Sequence, residues 1–337
     1  MFNPIINVTS TNPNSSVVDN SNVPEWVKQW FDVGLNPFKY SNGNIETNQL
    51  TTVINIPDAI QLAPQIASGA PVLKTGFSGS TIQLSQQHYA YHQAVDAMVY
   101  QGSQGLIEQI NLQMDAAGTG DYAAALFESV AMNALVKNSV RPNVDGLGVF
   151  ATNHPVNPLN PSQVARTTGS ATQANLLTAC ALSEVNLNRA IIAAHTLCYP
   201  NGQPIVPKNM TLWVTPANKT LALNLTSAMF LGSQKLYSSS DTANVGSTIN
   251  PYSKLGLEVE VLPRYPVNGS TGYSTDWYLT TGIAKPFITK MMKKPQIVKL
   301  MNPDDAPVYN HNEYVVAFQA DFAIDVYHHL AIIKCTA

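Results

Sequence analysis

HNEYVVAFQADFAIDVYHHLAIIKC, residues 311–335, is the stretch from which the fold is read. Tyr314, Val316, Phe318, Ala320, Phe322, Ile324 and Val326 fall on one face, and Gln319, Asp321 and Asp325 on the other. A period of two sustained over this span predicts a half-buried β-strand. Strands average about 5–6 residues, so this one is long. Read as strand neighbours, His328 and His329 point to opposite faces and do not chelate one ion together. The C-terminal quarter of the chain thus reads as a run of strands with no catalytic constellation. Long strands on a polar, charge-poor chain suit a protein built to make contacts.

The 337 residues suffice for about two domains and a sizeable core. Formal net charge is −3 and only 12% of residues are charged, so Ser, Thr, Asn and Gln carry the surface. No basic stripe supports reading a nucleic-acid sequence, although scattered Lys and Arg tolerate DNA nearby. No acidic tail is present. The three cysteines, Cys180, Cys198 and Cys335, are odd in number, widely spaced and free of any CxxC. That pattern argues against a disulfide framework or a zinc site and predicts buried neutral thiols, made and kept in a reducing cytoplasm. The N-terminus has no signal-peptide pattern, and no window reaches the roughly 20 apolar residues of a membrane span. The sequons at Asn7 and Asn268 read as chance matches.

Residues 1–24 are rich in Asn, Ser and Pro and read as an arm, either disordered or ordered only on a neighbour. Pro24 opens a short helix carrying Trp26, Trp30 and Phe31 on one stripe. Thr51–Ile56 is a candidate strand. Val72–Lys74 and Ser80–Leu84 flank Gly76-Phe77-Ser78-Gly79 as a projecting hairpin. Those glycines lack the Gly-Lys-Ser/Thr and the following helix of a phosphate loop. Residues 88–138 read as helical: Leu106, Ile107, Ile110 and Met114 form one stripe, interrupted at Ala116–Gly120. Asp121 then caps a second helix with Ala123, Phe127, Val130, Ala134 and Leu135 on a face. Residues 141–161 form a long Pro/Gly/Asn loop of functional or interfacial character. A helix follows over Asn186–His195 on Leu187, Ile191 and Ala194, then a strand at Met210–Val214. Thr215 is the N-cap and Pro216 the first residue of a helix with Leu221, Leu225 and Ala228 inward. Leu255–Leu262 and Asp276–Leu279 are further strands.

The order of pieces resembles one family. DGLGVFATNHP (145–155), VTP (214–216), NPY (250–252), LEVEVLPRY (257–265), DWYL (276–279) and KPFI (285–288) follow an arm, a hairpin and an alanine-rich helix. This looks like the Mu-like major head subunit group of tailed-phage major capsid proteins. Each short motif is weak alone; their order and spacing over about 145–288 carry the resemblance. It implies an α+β chain with the Hong Kong 97-type capsid fold, also used by encapsulins. The implied parts are an N-terminal arm at 1–48 and an extended β-hairpin loop at 49–88. A peripheral domain is implied at 89–164 and 281–337, with an axial domain at 165–280. Gly118 and Gly120 divide what in that fold is a single long spine helix. No scaffold-like segment precedes the arm, which implies a separate scaffold protein.

The resemblance implies a non-enzymatic shell protein that assembles in the host cytoplasm and resides in the virion. Its partners are copies of itself as homo-hexamers and homo-pentamers, scaffold and portal proteins, decoration proteins in some shells, and packaged double-stranded DNA contacted non-specifically. No membrane, cofactor, metal or catalytic residue is expected. No GxSxG elbow occurs. His154, His311, His328 and His329 read as structural, with His154 hydrogen-bonded in a turn. Some shells of this fold seal themselves with Lys–Asn isopeptide bonds; Lys74 lies in the loop, but nothing identifies the carboxylate that the reaction needs. The alternatives are an encapsulin-like compartment shell, a secreted β-rich adhesin or a hydrolase.

Overall fold

The computed structural model describes residues 34–47, 49–57, 79–98, 120–141, 144–227, 230–231, 248–252, 255–266, 274–300 and 302–337. The arm at 1–24, the Trp26–Trp30–Phe31 helix, Val72–Ser78 with Lys74, and the Leu106–Met114 stripe lie outside them. The strands are β1 (Ser41–Glu46), β2 (Thr51–Pro57), β3 (Gly79–Ser85), β4 (Gln87–Asp96), β5 (His154–Pro155), β6 (Thr172–Gln173), β7 (Leu176–Leu177), β8 (Thr211–Val214), β9 (Phe230–Leu231), β10 (Thr248–Ile249), β11 (Glu258–Val261), β12 (Trp277–Thr280), β13 (Phe287–Leu300), β14 (Glu313–Val326) and β15 (Ile332–Cys335). The helices are α1 (Gly120–Lys137), α2 (Glu184–Thr196), α3 (Lys219–Ser227) and α4 (Ala306–His311). The chain divides into two compact units: one within 1–52, 84–131 and 288–325, the other within 53–83, 132–287 and 326–337.

The first unit is built on the sheet β1-β13-β14-β4. The expected final strand is β14; Val316, Phe318, Ala320, Phe322, Ile324 and Val326 are buried at every second position as the period of two requires, and Ala323 on the other face is buried as well. It pairs antiparallel with β4 over ten residue pairs, from Glu313↔Asp96 to Phe322↔Gln87. Residues 88–96 are therefore part of a strand, where the sequence predicted helix from 88 onward. Their apolar residues are too sparse to alternate, and pairing with β14 decides the backbone state. Aromatic rings fix the helix on this sheet. Phe127 meets Phe322 edge-on at 4.6 Å, Tyr122 meets Phe318 at 4.9 Å, and Tyr89 stacks on Phe322 at 4.4 Å.

The helix expected from Asp121 is α1, described over Gly120–Lys137. Ala123, Phe127, Ala134 and Leu135 are buried as predicted, but so are Ala124, Ala125, Ala131 and Met132, while Val130 is only half-buried. Small alanines allow this close approach on several sides. Glu128 is fully buried, and its carboxylate accepts from the N–H groups of Gly34 (3.1 Å) and Leu35 (3.0 Å). These charge-assisted bonds offset the desolvation of the carboxylate and tie down the chain just before β1. Lys290 is buried too; its ammonium donates to the Gln49 carbonyl, and burial pushes its pKa down.

The second unit holds the sheet β11-β8-β12-β15-β7. β8 runs parallel to β11 and antiparallel to β12; β15 runs antiparallel to β12 and parallel to β7. Every residue of β8 and β12 is buried, as in a sheet covered on both faces. Leu187, Ala190 and Ala194 of α2 and Ala222 and Leu225 of α3 join its core with Leu212, Val214, Trp277, Leu279 and Ile333. α2 starts on a Ser183 cap that accepts from Asn186 N–H. Three expectations change here. Leu221 is 41% exposed and Ala222 takes its place inside. The strand expected over Leu255–Leu262 forms only at Glu258–Val261. Thr215 and Pro216 open a 3₁₀ turn at Pro216–Asn218 ahead of α3, and the Thr215 side chain makes no capping bond.

Just after β12, Gly282 has φ +67, and a Cβ there would lie 1.5 Å from the Lys208 carbonyl oxygen. Both the backbone angle and the close approach require glycine. Gly282→Ala is expected to cost about 2–4 kcal/mol of stability. Glu128→Ala, which removes the acceptor of the buried Leu35 N–H and the partly buried Gly34 N–H, is expected to cost about 1–3 kcal/mol. Denaturant unfolding with an unchanged slope checks both values.

Candidate functional site

The loop after α1 is ordered by its own polar residues. Asn138 sits at φ +48, and its amide exchanges two hydrogen bonds with the Phe150 backbone, at 3.0 and 2.7 Å. The Arg141 carbonyl accepts from the N–H groups of Val144, Asp145 and Gly146, and Asp145 Oδ1 accepts from Leu147 N–H at 3.0 Å. This is the Pro/Gly/Asn loop read from the sequence, closed into a compact turn. Asn175, fully buried between β6 and β7, joins it to the C-terminal turn. Its Nδ2 donates to the carbonyls of Val149 (2.8 Å), His329 (3.2 Å) and Ile332 (3.2 Å), and its Oδ1 accepts from Ala151 N–H (3.0 Å).

Here the structure departs from the reading of His328 and His329 as strand neighbours. β14 ends at Val326, and His329–Ala331 form a 3₁₀ turn. The two rings lie face to face with centroids 4.2 Å apart, and His154 stacks on the other side of His329, also at 4.2 Å with planes 12° apart. A small cavity borders the stack, lined among others by Arg141, Asp145, Tyr327 and Ile82. His311, by contrast, ends α4 in the first unit.

The hydrogen-bond partners assign the protons. His154 Nδ1 lies 2.5 Å from Asp145 Oδ2, and Nε2 lies 3.1 Å from the Val149 carbonyl. Both ring nitrogens thus face oxygen acceptors, and Asp145 is the carboxylate partner of this ring. Gln173 accepts from Cys198 N–H at 2.8 Å, which turns its NH₂ toward His329 Nε2 at 3.4 Å. His328 Nδ1 accepts from Leu330 N–H at 3.1 Å. His328 and His329 are thus neutral acceptors. Burial, followed by the charges of His154 and Arg141, pushes His328 down to about 4; burial, followed by its two neighbouring histidines, holds His329 well below the usual range. Burial pushes the Asp145 carboxyl up, but hydrogen bonds from His154 and Leu147 outweigh it and hold it below the ordinary range.

Asp145, His154 and His329 bring their ligand atoms within 4.8 Å of one another, so a metal ion was tested against them. Two zinc bonds of about 2.0 Å at a tetrahedral angle hold their ligand atoms roughly 3.3 Å apart. Asp145 and His154 are in direct hydrogen-bond contact instead, and parallel rings direct their lone pairs side by side rather than at one point. Among the described residues, no Ser, Thr or Cys lines its cavity to act as a nucleophile. Elsewhere in this unit Cys180 and Cys198 flank α2 and, with Cys335, are free and buried; burial, with Cys180 alongside, pushes the Cys335 thiol up. The cluster escaped the sequence reading because its members lie far apart in the chain.

No protein-family model matches the chain, and no curated protein does. Solved structures do match nearly its full length. The capsid chain of cyanophage P-SCSP1u aligns with a TM-score of 0.53 at 9% identity, covering 99% of this chain and 93% of that one. The mature capsid of bacteriophage PhiM1 gives 0.51 at 10%, covering 98% and 91%. A chain of Mycobacterium phage Patience gives 0.51 at 12%, covering 93% and 85%. The chain has the α+β, Hong Kong 97-type fold of phage capsid proteins, as its motif order implied.

Asn175 makes four hydrogen bonds to two segments, the loop at 149–151 and the turn at 329–332, so Asn175→Ala is expected to lower stability by roughly 2–5 kcal/mol. Amide exchange should show the loss of protection concentrated at Val149–Ala151 and His329–Ile332, while β8 and β12 stay protected.

Proposed function

We propose that this chain is the major capsid subunit of a tailed bacteriophage or prophage, and that it self-assembles into an icosahedral shell enclosing double-stranded DNA. The observation that carries the reading is the end-to-end correspondence with phage capsid chains, in which neither partner has a large unmatched domain. Composition supports it: a polar, charge-poor surface suits wide contacts repeated many times, where modest individual contacts suffice in a closed assembly. The finer assignment to the Mu-like group rests on the order of short sequence motifs. So does the division into arm (1–48), extended loop (49–88), peripheral domain (89–164 and 281–337) and axial domain (165–280).

On this reading the protein is not an enzyme, and its partners are copies of itself, a separate scaffold, a portal and packaged DNA. Its place is the virion. Among the described residues no helix is long and apolar enough to cross a membrane.

The purified chain, with a scaffold partner supplied if one is required, is expected to form pentamers, hexamers or shells at micromolar concentration. Analytical sedimentation and electron microscopy check this. Shells of phage-head size bear it out; small uniform shells packed with enzyme point to a compartment; a persistent folded monomer across salt and protein concentrations overturns it.

A further inference from the structure

We propose that His154, His329, His328 and Asp145 form an acid-sensitive latch that holds the loop at 144–156 against the C-terminal turn at 327–331 near neutral pH and releases it on acidification. The inference stands independently of the shell reading. It rests on hydrogen-bond direction first. The native arrangement uses His328 Nδ1 and His329 Nε2 as acceptors, each facing an N–H donor. A proton added at either atom places donor against donor and destroys the bond it replaces. It also adds a positive charge within a buried stack of three rings spaced 4.2 Å apart.

The groups facing the pair do not offset that charge. Arg141, whose guanidinium donates to the Val326 carbonyl, adds a fixed positive charge. Among the described residues Asp145 is the one carboxylate lining the cavity, and it is already engaged by His154 and Leu147. Gln173 from β6 and Asn175 beside it are neutral, as are Tyr327, Val144, Val149 and Ile82 around the cavity. In the closed form both histidines therefore titrate below the ordinary 6.5, His328 at about 4. The open form titrates near 6.5, so it binds more protons as pH falls below that value. The closed form is fully favoured above pH 6.5 and loses ground between 6.5 and about 4. Over that window the open-to-closed ratio rises up to about tenfold per pH unit for each histidine, hence roughly a hundredfold for the pair.

The test is amide and histidine-ring hydrogen exchange, read by mass spectrometry on the full chain at a series of pH values from about 7.5 to about 4.5. The expected result is loss of amide protection confined to 144–156 and 327–331, with β8 and β12 still protected, and ring-exchange midpoints for His328 and His329 below that of a free histidine. A second variant keeps the idea open to failure. His328→Asn retains an acceptor for Leu330 N–H but does not titrate, so its loop opening should follow about tenfold rather than a hundredfold per pH unit. Constant protection of the loop across the series overturns the latch. So does simultaneous exposure of the β8 and β12 amides, which would be ordinary acid unfolding, and so does an H328N variant with the wild-type pH dependence.

Discussion

One buried side-chain amide, that of Asn175, sets the order of the second unit's polar interior. Its donors and acceptor reach the loop at 149–151 and the turn at 329–332, two segments with no regular ladder between them. Backbone groups removed from water must find partners. A loop and a 3₁₀ turn cannot supply each other with a repeating pattern, so a side chain with both donors and an acceptor supplies it. The histidine stack follows from that placement, because the same turn and loop carry His329 and His154.

The chain has few charged residues, and several of them are inside. Glu128 holds two N–H groups just before β1, Lys290 reaches the Gln49 carbonyl, and Arg141 reaches the Val326 carbonyl. Each satisfies backbone groups at a place where a strand starts, ends or is left without a ladder. The surface, correspondingly, is left to uncharged polar side chains. Such a surface is inexpensive to desolvate against another copy of itself, in contrast to one dense in unpaired Lys and Glu.

The sequence revealed elements whose signal is local. β14 was legible because one face of it is buried and the other is not, so apolar residues alternate. α1 and α2 were legible from helical spacing and small residues. β4 was not: QHYAYHQAVD has no clear apolar face and becomes a strand through ten pairings with a partner more than two hundred residues away. The reading of His328 and His329 failed for a related reason. The strand pattern runs into them, but nothing local marks the 3₁₀ turn that ends it. His154 is hydrogen-bonded as expected, but in the short strand β5 rather than in a turn, and its stacking on His329 and the Asn175 clamp are products of tertiary folding alone.

The register between β4 and β14 also has a mechanical meaning. Hydrogen bonds of an antiparallel pair lie across the strands. A pull along the strand direction therefore stretches the rungs between Gln87 and Asp96 together, and all must yield at once. A pull at right angles opens them one after another. A load along this ladder meets the resistance of a sheared joint, while a load that peels it from one end opens it like a zip, so the same ten pairings are strong in one direction and yielding in another.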